Sequence, residues 1–158
     1  MPHLDRLTVL ADHLDSVPPD RFWLGTWFAN RMPTDREIDN EELLYEDEEF
    51  QRTDCGTVAC AIGHACRIPE FNALGFKSNG LSPRYAPPTA KKTGSWNYSD
   101  WRAVHEFFGL GDQEAYTLFL DNRYPTGGHT TPAQVAERIR AFVRDNTPAA
   151  PAPAGNPA

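Results

Sequence analysis

Three cysteines and a histidine lie within twelve consecutive residues and are the side chains best suited to chemistry: Cys55, Cys60, His64 and Cys66. Cys55 falls where a helix is expected to begin. A thiol there feels the positive end of the helix dipole, which lowers its pKa. The small neighbour Gly56 leaves room for a substrate. Cys55 is therefore a candidate nucleophile for a cysteine-dependent hydrolase or transferase.

A cysteine nucleophile also needs a general base within hydrogen-bond reach. His64 lies about two and a half turns along the same predicted helix, which is too far from Cys55. His129, in the loop Tyr-Pro-Thr-Gly-Gly-His, is the best downstream base, and Asp121 or Asn122 is placed to orient it. The interpretation that we favour is simpler: Cys55 is a small residue at a tight helix entry, and His129 is solvated.

A zinc site is the other chemistry that this segment suggests. Cys60 and His64 are four residues apart and share one helix face. Cys66 lies about 160° from His64 around the helix axis, and Cys55 is rotated away from Cys60. Structural zinc needs four convergent ligands. We therefore expect no metal and no cofactor, with Cys60 a buried small hydrophobe and His64 satisfied by a local carbonyl.

The cysteine segment itself is predicted to be the central helix of the fold. Its small and apolar residues occur on every face, which is typical of a buried helix; they are Val58, Ala59, Ala61, Ile62 and Ala65. Thr53 or Asp54 is its expected N-cap. An amphipathic helix is predicted over 3–16 from its leucine spacing. The aromatic stretch 22–28 fits either a short strand or a buried extended segment.

Three helices are predicted to complete the domain. One spans 100–108 and ends at Gly109, the second begins at Asp112, and the third follows a capping box at Thr131 with proline at its first position. The fold class is therefore mainly α: a compact single domain over 1–146, with a central cysteine-bearing helix, a long basic loop over 77–98 and room for a short strand pair. The Pro/Ala-rich tail 147–158 is expected to be disordered.

The overall charge excludes several classes of partner. The 158 residues carry a formal net charge of −7 and an isoelectric point of about 5.1. This balance argues against direct binding to nucleic acid or to an anionic membrane. No apolar run approaches the length of a membrane span. The N-terminus lacks the features of a signal peptide, so we expect a cytoplasmic protein with reduced thiols. The oligomeric state is left open.

Charge is segregated along the chain, with an acidic stretch over 34–50 and a basic loop over 77–92. Such surfaces steer oppositely charged partners, so we expect a protein partner. A DNA-mimic inhibitor is an alternative. The simplest alternative is that the acidic stretch and the basic loop are both merely solvated. Apolar residues interrupt the acidic stretch, so part of it is expected to dock on the core as a helical turn. The candidate binding residues are Glu41, Glu42, Glu46, Asp47, Glu48, Glu49, Arg84, Lys91 and Lys92.

Two resemblances bear on function. The run Asp-Cys-Gly-Thr at 54–57 resembles, over four residues, the Asp-Cys-Ser-Gly start of NlpC-type cysteine peptidases. The longer run 55–65 resembles small phage and bacterial proteins that share the pattern C-G-T-x-A-C-x-x-G-[HW]-A. Because tryptophan also occurs at the position of His64, the second resemblance implies that His64 is not a required ligand. It also implies that Gly63 allows close packing of another element.

The favoured prediction is a small accessory binding module of phage or bacterial origin, which acts through protein–protein interaction and modulates a host or defence protein. The alternatives are the Cys55–His129 hydrolase or transferase and the acidic DNA mimic.

Overall fold

A computed structural model of the chain describes residues 1–45, 47, 50, 58–88 and 97–150. The described part is mainly helical, as predicted, with eight α-helices and two small antiparallel sheets. None of the helices in these ranges has the length and apolar character needed to cross a membrane. The predicted tail falls mostly outside the description, which ends at residue 150.

The helices are α1 (Leu4–Leu14), α2 (Asp35–Asp39), α3 (Glu42–Tyr45), α4 (Ala61–Ala65), α5 (Pro69–Ala73), α6 (Asp100–Phe108), α7 (Asp112–Phe119) and α8 (Pro132–Asn146). Short 3-10 turns occupy Pro19–Arg21, Asp121–Arg123 and Gly127–His129. One sheet pairs β1 (Phe28–Ala29) with β2 (Val58–Ala59). The other runs in the order β3 (Phe76–Ser78), β4 (Pro83–Tyr85) and β5 (Tyr98–Ser99).

The helices at the two ends of the chain form where local sequence signals predict them. The apolar face of α1 is fully buried and packs against α8. At the start of α8, Thr131 Oγ1 accepts a hydrogen bond from the Gln134 amide, and Gln134 Oε1 accepts one from the Thr131 amide. This is the predicted capping box. Gly109 ends α6 in the left-handed conformation, with φ +65°.

An aromatic cluster fills the main core beneath α6. The rings of Phe76 and Phe107 stack with their centroids 4.4 Å apart, and the Phe71 ring meets that of Phe107 edge-on at 4.9 Å. All three side chains are almost completely buried. Aromatic pairs in these geometries stabilise a core beyond their buried area alone. The cluster ties α5 and β3 to α6.

The cysteine segment differs from the single central helix that its composition predicts. Among its described residues, Val58 and Ala59 form β2, and the helix begins only at Ala61. The Ala59 carbonyl accepts from the Trp23 amide at 3.2 Å, and the Cys60 amide donates to the Trp27 carbonyl at 3.3 Å. Backbone pairing with a distant segment thus replaces the helical hydrogen bonds. The proposed N-caps Thr53 and Asp54 lie outside the described residues.

The predicted long loop over 77–98 is also partly wrong, because it begins as a β-hairpin. Lys77 lies opposite Arg84 in the register of β3 and β4. Asn79 and Gly80, the latter with φ +96°, lie in the turn, and the Asn79 side chain accepts hydrogen bonds from the Leu81 and Ser82 amides. Asn-Gly is a strong hairpin signal. Residues 89–96 lie outside the described part.

A second apolar cluster lies under α2 and α3, apart from the main core. It consists of Trp23, Ala29, Ile38, Leu44, Phe50 and Val58. Leu44 and Phe50 belong to the apolar interruptions of the acidic stretch, so part of that stretch packs on the protein, on this second cluster and not on the main core. The aromatic stretch 22–28 supplies Trp23 beside them, and its last residue, Phe28, begins β1.

Candidate functional site

The structure buries two of the three cysteines and describes no position for Cys55. The Cys60 and Cys66 residues are 4% and 6% exposed. The Cys60 Sγ caps α4 by accepting from the Gly63 amide at 3.4 Å. Burial raises the pKa of the Cys60 thiol to about 11 and raises that of the Cys66 thiol as well. Cys60 is therefore the buried small residue that the sequence predicts.

His64 is buried in the fold, where its ring contacts a backbone carbonyl and an aromatic side chain. Its Nε2–H donates to the Arg21 carbonyl at 2.8 Å, and its ring stacks on Phe22. The predicted carbonyl partner is thus present, but it comes from 43 residues away instead of from the same turn. No three His, Cys, Asp or Glu side chains of the described ranges converge in a geometry that holds a metal ion.

His129 lies at the surface in contact with α2. Its Nε2 is 2.8 Å from Asp39 Oδ1, and its Nδ1 is 3.8 Å from the carboxylate of Asp35. Asp39 is thus the carboxylate in contact with His129, where the sequence predicts Asp121 or Asn122. The Asp121 side chain instead accepts a hydrogen bond from its neighbour's backbone amide at 2.7 Å. The His129 side chain is 43% exposed.

The burial of the cysteines leads to a prediction about thiol chemistry. Because Cys60 and Cys66 are buried and their pKa values are raised, folded protein near neutral pH is expected to react rapidly with a charged disulfide reagent at Cys55 alone or at no thiol. Reactivity depends on exposed thiolate. The Cys55→Ser variant should show no fast phase until denaturant is added, when both remaining thiols should react. Fast labelling of the folded variant would contradict the burial.

The acidic stretch separates into neutralised and uncompensated carboxylates. Arg31 makes a bidentate ion pair with Glu37, with both N···O distances below 3 Å, and a further contact of 2.8 Å with Asp47. These hydrogen bonds lower the pKa of Glu37 to about 2. Asp47, predicted as a binding residue, is therefore an internal partner of Arg31. Glu41 and Glu42 are exposed and have no ion pair with any other described residue.

A pocket of about 300 Å³ opens beside these uncompensated carboxylates. We call it the Trp23 pocket. Its walls are the buried side chains of Trp23, Phe28, Leu44 and Phe50. Glu41 and Tyr45 also line it, and the Tyr45 residue is 73% exposed. An apolar concave surface with a few polar groups at its edge is the usual form of a binding site.

The chain is shaped closely around the Trp23 indole. A Cβ on Gly25 would lie 2.1 Å from Trp23 Cζ2, so only glycine lets the backbone pack flat on this ring. A Cβ on Gly128 would lie 3.3 Å from Trp23 Nε1, so the Gly127–His129 turn lies against the edge of the ring. Nε1 itself is buried with no hydrogen-bond partner in the described part of the chain. These contacts fix the orientation of one wall of the pocket.

Of the described residues that line the Trp23 pocket, only Glu41 is among the predicted binding residues. Trp23 and Phe28 are assigned to the core by their sequence pattern, and both are indeed buried. Two sequence features hint at the pocket: the aromatic stretch 22–28 and the apolar residues that interrupt the acidic stretch 34–50. Neither shows from sequence alone that the two segments face each other.

The predicted basic residues do not join this site as far as the structure describes them. Arg84 is exposed on β4, directly opposite Lys77, in the other sheet of the protein. The other predicted binding residues lie outside the described residues; they are Glu46, Glu48, Glu49, Lys91 and Lys92.

We compared the chain with models of protein families, with curated proteins and with solved structures, and none of the three comparisons produced a match.

Proposed function

We propose that this protein is a small accessory binding module that docks a positively charged segment of a protein partner at the Trp23 pocket and the acidic residues around it. The observation that carries the proposal is a pocket with aromatic and aliphatic walls whose lining includes a carboxylate, Glu41, with no cation paired to it among the described residues. We place the interaction in the cytoplasm. The resemblance to small phage proteins makes a host or defence protein the class of partner that we propose.

The two parts of this surface have different physical roles. Buried aromatic and aliphatic walls supply the part of binding energy that is concentrated in a few well-packed contacts. Exposed carboxylates such as Asp35, Glu41 and Glu42 attract a basic partner from a distance and disfavour an acidic one. The net charge of −7 acts in the same direction.

The proposal predicts that charge removal at this face weakens binding more than charge removal elsewhere. The test variant is Asp35→Asn/Glu41→Gln/Glu42→Gln. The matched control, Glu70→Gln/Glu137→Gln/Asp145→Asn, removes the same number of exposed carboxylates from α5 and α8. Affinity purification with each form, followed by titration of the recovered partner, should show about a tenfold loss for the test variant, equivalent to about 1.4 kcal/mol.

The control variant should change the affinity by less than about threefold, since scattered surface charges contribute little. The recovered partner should also carry a lysine- or arginine-rich segment. Equal losses for the two variants, or a partner without such a segment, would contradict the proposal.

A cysteine-dependent hydrolase or transferase is the second candidate, favoured by the contact of 2.8 Å between His129 Nε2 and Asp39. A histidine oriented by a carboxylate is two thirds of a nucleophilic triad. Catalysis by Cys55 would require selective labelling of that thiol below neutral pH, and slower labelling in His129→Gln. If all three thiols are labelled equally slowly, the result favours the binding module.

The DNA-mimic alternative is less well supported. A mimic needs a dense array of uncompensated negative charge. Here Glu37 and Asp47 are paired with Arg31, and Asp39 contacts His129.

A further inference from the structure

We infer that the Trp23 pocket receives the side chain of an arginine from the partner, with its guanidinium group between the aromatic walls and the Glu41 carboxylate. This inference rests on the proposed function and makes it more specific, because it names the side chain that enters the pocket.

The size of the pocket favours one side chain over a larger ligand. Its volume of about 300 Å³ lies at the lower limit for sites that hold whole small molecules, which begin at about 300 Å³ and reach about 1,000 Å³. The pocket is also open to the surface beside the exposed Tyr45. A side chain projecting from a docked segment can therefore enter from the surface while its backbone stays outside.

The walls of the pocket suit a planar cation. Trp23, Phe28, Tyr45 and Phe50 all line it, and guanidinium groups stack on aromatic faces. The protein already makes such a contact with one of these rings, since the Arg31 guanidinium carbon lies 5.3 Å from the centroid of the Phe50 ring. That guanidinium is held by Glu37 and does not neutralise Glu41.

The carboxylate at the edge of the pocket has no counter-charge among the residues that the structure describes. Partial burial raises the pKa of the Glu41 carboxyl, and the negative charge of Asp121 raises it further. Neither effect comes from a cation, and no ion pair joins the Glu41 side chain to another described residue. Arg31, Glu37 and Asp47 together carry one excess negative charge, so Arg31 leaves none of its charge for this edge. A bound guanidinium would supply the missing positive charge.

Arginine fits these features better than the other side chains that a basic segment offers. An apolar side chain would bury the Glu41 carboxylate further without a counter-charge, which is costly. Lysine would supply the charge, but its compact ammonium group is more strongly hydrated and cannot bind a carboxylate with two parallel hydrogen bonds. Arginine offers both the planar stacking surface and the bidentate fork.

The test uses small probes on the full chain and reads the Trp23 indole N–H resonance by NMR. The probe is N-acetyl-arginine methylamide, and its control is the citrulline analogue, which has nearly the same shape and no charge. We expect a saturable shift of the Trp23 resonance with the arginine probe, with binding at least about fivefold tighter than that of the citrulline probe. The Trp101 indole, which lies outside the pocket, should not move.

Two variants complete the test. Glu41→Gln should remove most of the preference for arginine, and it should fold normally because the Glu41 side chain is exposed and makes no hydrogen bond to any described residue. Glu70→Gln, on α5, should leave the preference unchanged. Equal binding of the two probes, no shift at Trp23, or an unchanged preference in Glu41→Gln would each overturn the inference.

The failure of this inference is distinguishable from failure of the proposed function. If the triple charge variant loses affinity for the partner while the arginine probe does not shift the Trp23 resonance, the docking face stands and arginine is excluded from the pocket. If the two triple variants bind the partner equally well and the arginine probe still binds specifically, the arginine site stands and the proposal of a basic docking segment is contradicted.

Discussion

Replacing Gly63 by alanine is expected to lower the free energy of unfolding by about 3 kcal/mol, the upper end of the usual cost of overpacking. A Cβ at this position would lie 2.2 Å from the Trp27 carbonyl oxygen and 2.6 Å from the Ala59 Cβ. Ala59 is held by the pairing of β1 with β2, and the Trp27 carbonyl accepts a hydrogen bond from the Cys60 amide, so neither can move without breaking a backbone hydrogen bond. Chemical denaturation monitored by tryptophan fluorescence measures the effect.

Gly111→Ala is the matched control for this substitution. A Cβ on Gly111 would meet only the Glu114 Oε1 atom, at 3.3 Å, and that atom ends a flexible side chain. Its cost should not exceed about 1 kcal/mol, which is the usual penalty for alanine at the start of a helix. If Gly63→Ala were no more destabilising than this control, the close approach of α4 to the segment before β1 would be wrong.

Acid is expected to destabilise the protein through His64. Burial lowers the pKa of this imidazole from 6.5 to about 4, so the folded state holds it neutral while the unfolded chain binds a proton more readily. Stability is therefore retained above the unfolded pKa and lost as the pH falls from about 6.5 towards about 4. The shift corresponds to a loss of up to about 3 kcal/mol. Urea denaturation over this pH range measures it.

His64→Gln is the variant that isolates the contribution of this histidine. Glutamine keeps an N–H donor for the Arg21 carbonyl and has no proton to gain. The variant should be less stable at neutral pH, but its stability should depend less on pH between 6.5 and 4. His3 and His13, whose pKa values are also lowered by burial, contribute in the same direction. His13→Gln should retain most of the slope, and a slope unchanged in His64→Gln would contradict the buried neutral imidazole.

Helices with strong local signals were predictable from the sequence. The leucine spacing of α1 and the capping box of α8 act within a few residues, so nothing distant has to be known. The helix predicted for the start of the cysteine segment was wrong because a distant part of the chain decides its structure. Val58 and Ala59 look compatible with a buried helix, yet their backbone pairs with Phe28 and Ala29, about thirty residues earlier. Tertiary pairing of this kind overrides local propensity.

The candidate site was predictable only in part for the same physical reason. The acidic character of the stretch and the presence of Glu41 follow directly from composition. Composition does not reveal which of its carboxylates are paired with a cation, because the pairing depends on Arg31 reaching Glu37 and Asp47. Similarly, His129 contacts Asp39 across 90 residues. The pocket is assembled from two segments that only the folded chain brings together.

The central claim is that a positively charged segment of a protein partner docks at the Trp23 pocket. The most direct test is to map, by NMR, the amide and indole resonances that change when the recovered partner segment is added to the full chain. We expect the largest changes at Trp23, Gly25, Glu41 and Tyr45, weakening as the salt concentration rises. Changes centred instead on the sheet that carries Lys77 and Arg84, with the pocket unaffected, would contradict the proposed docking site.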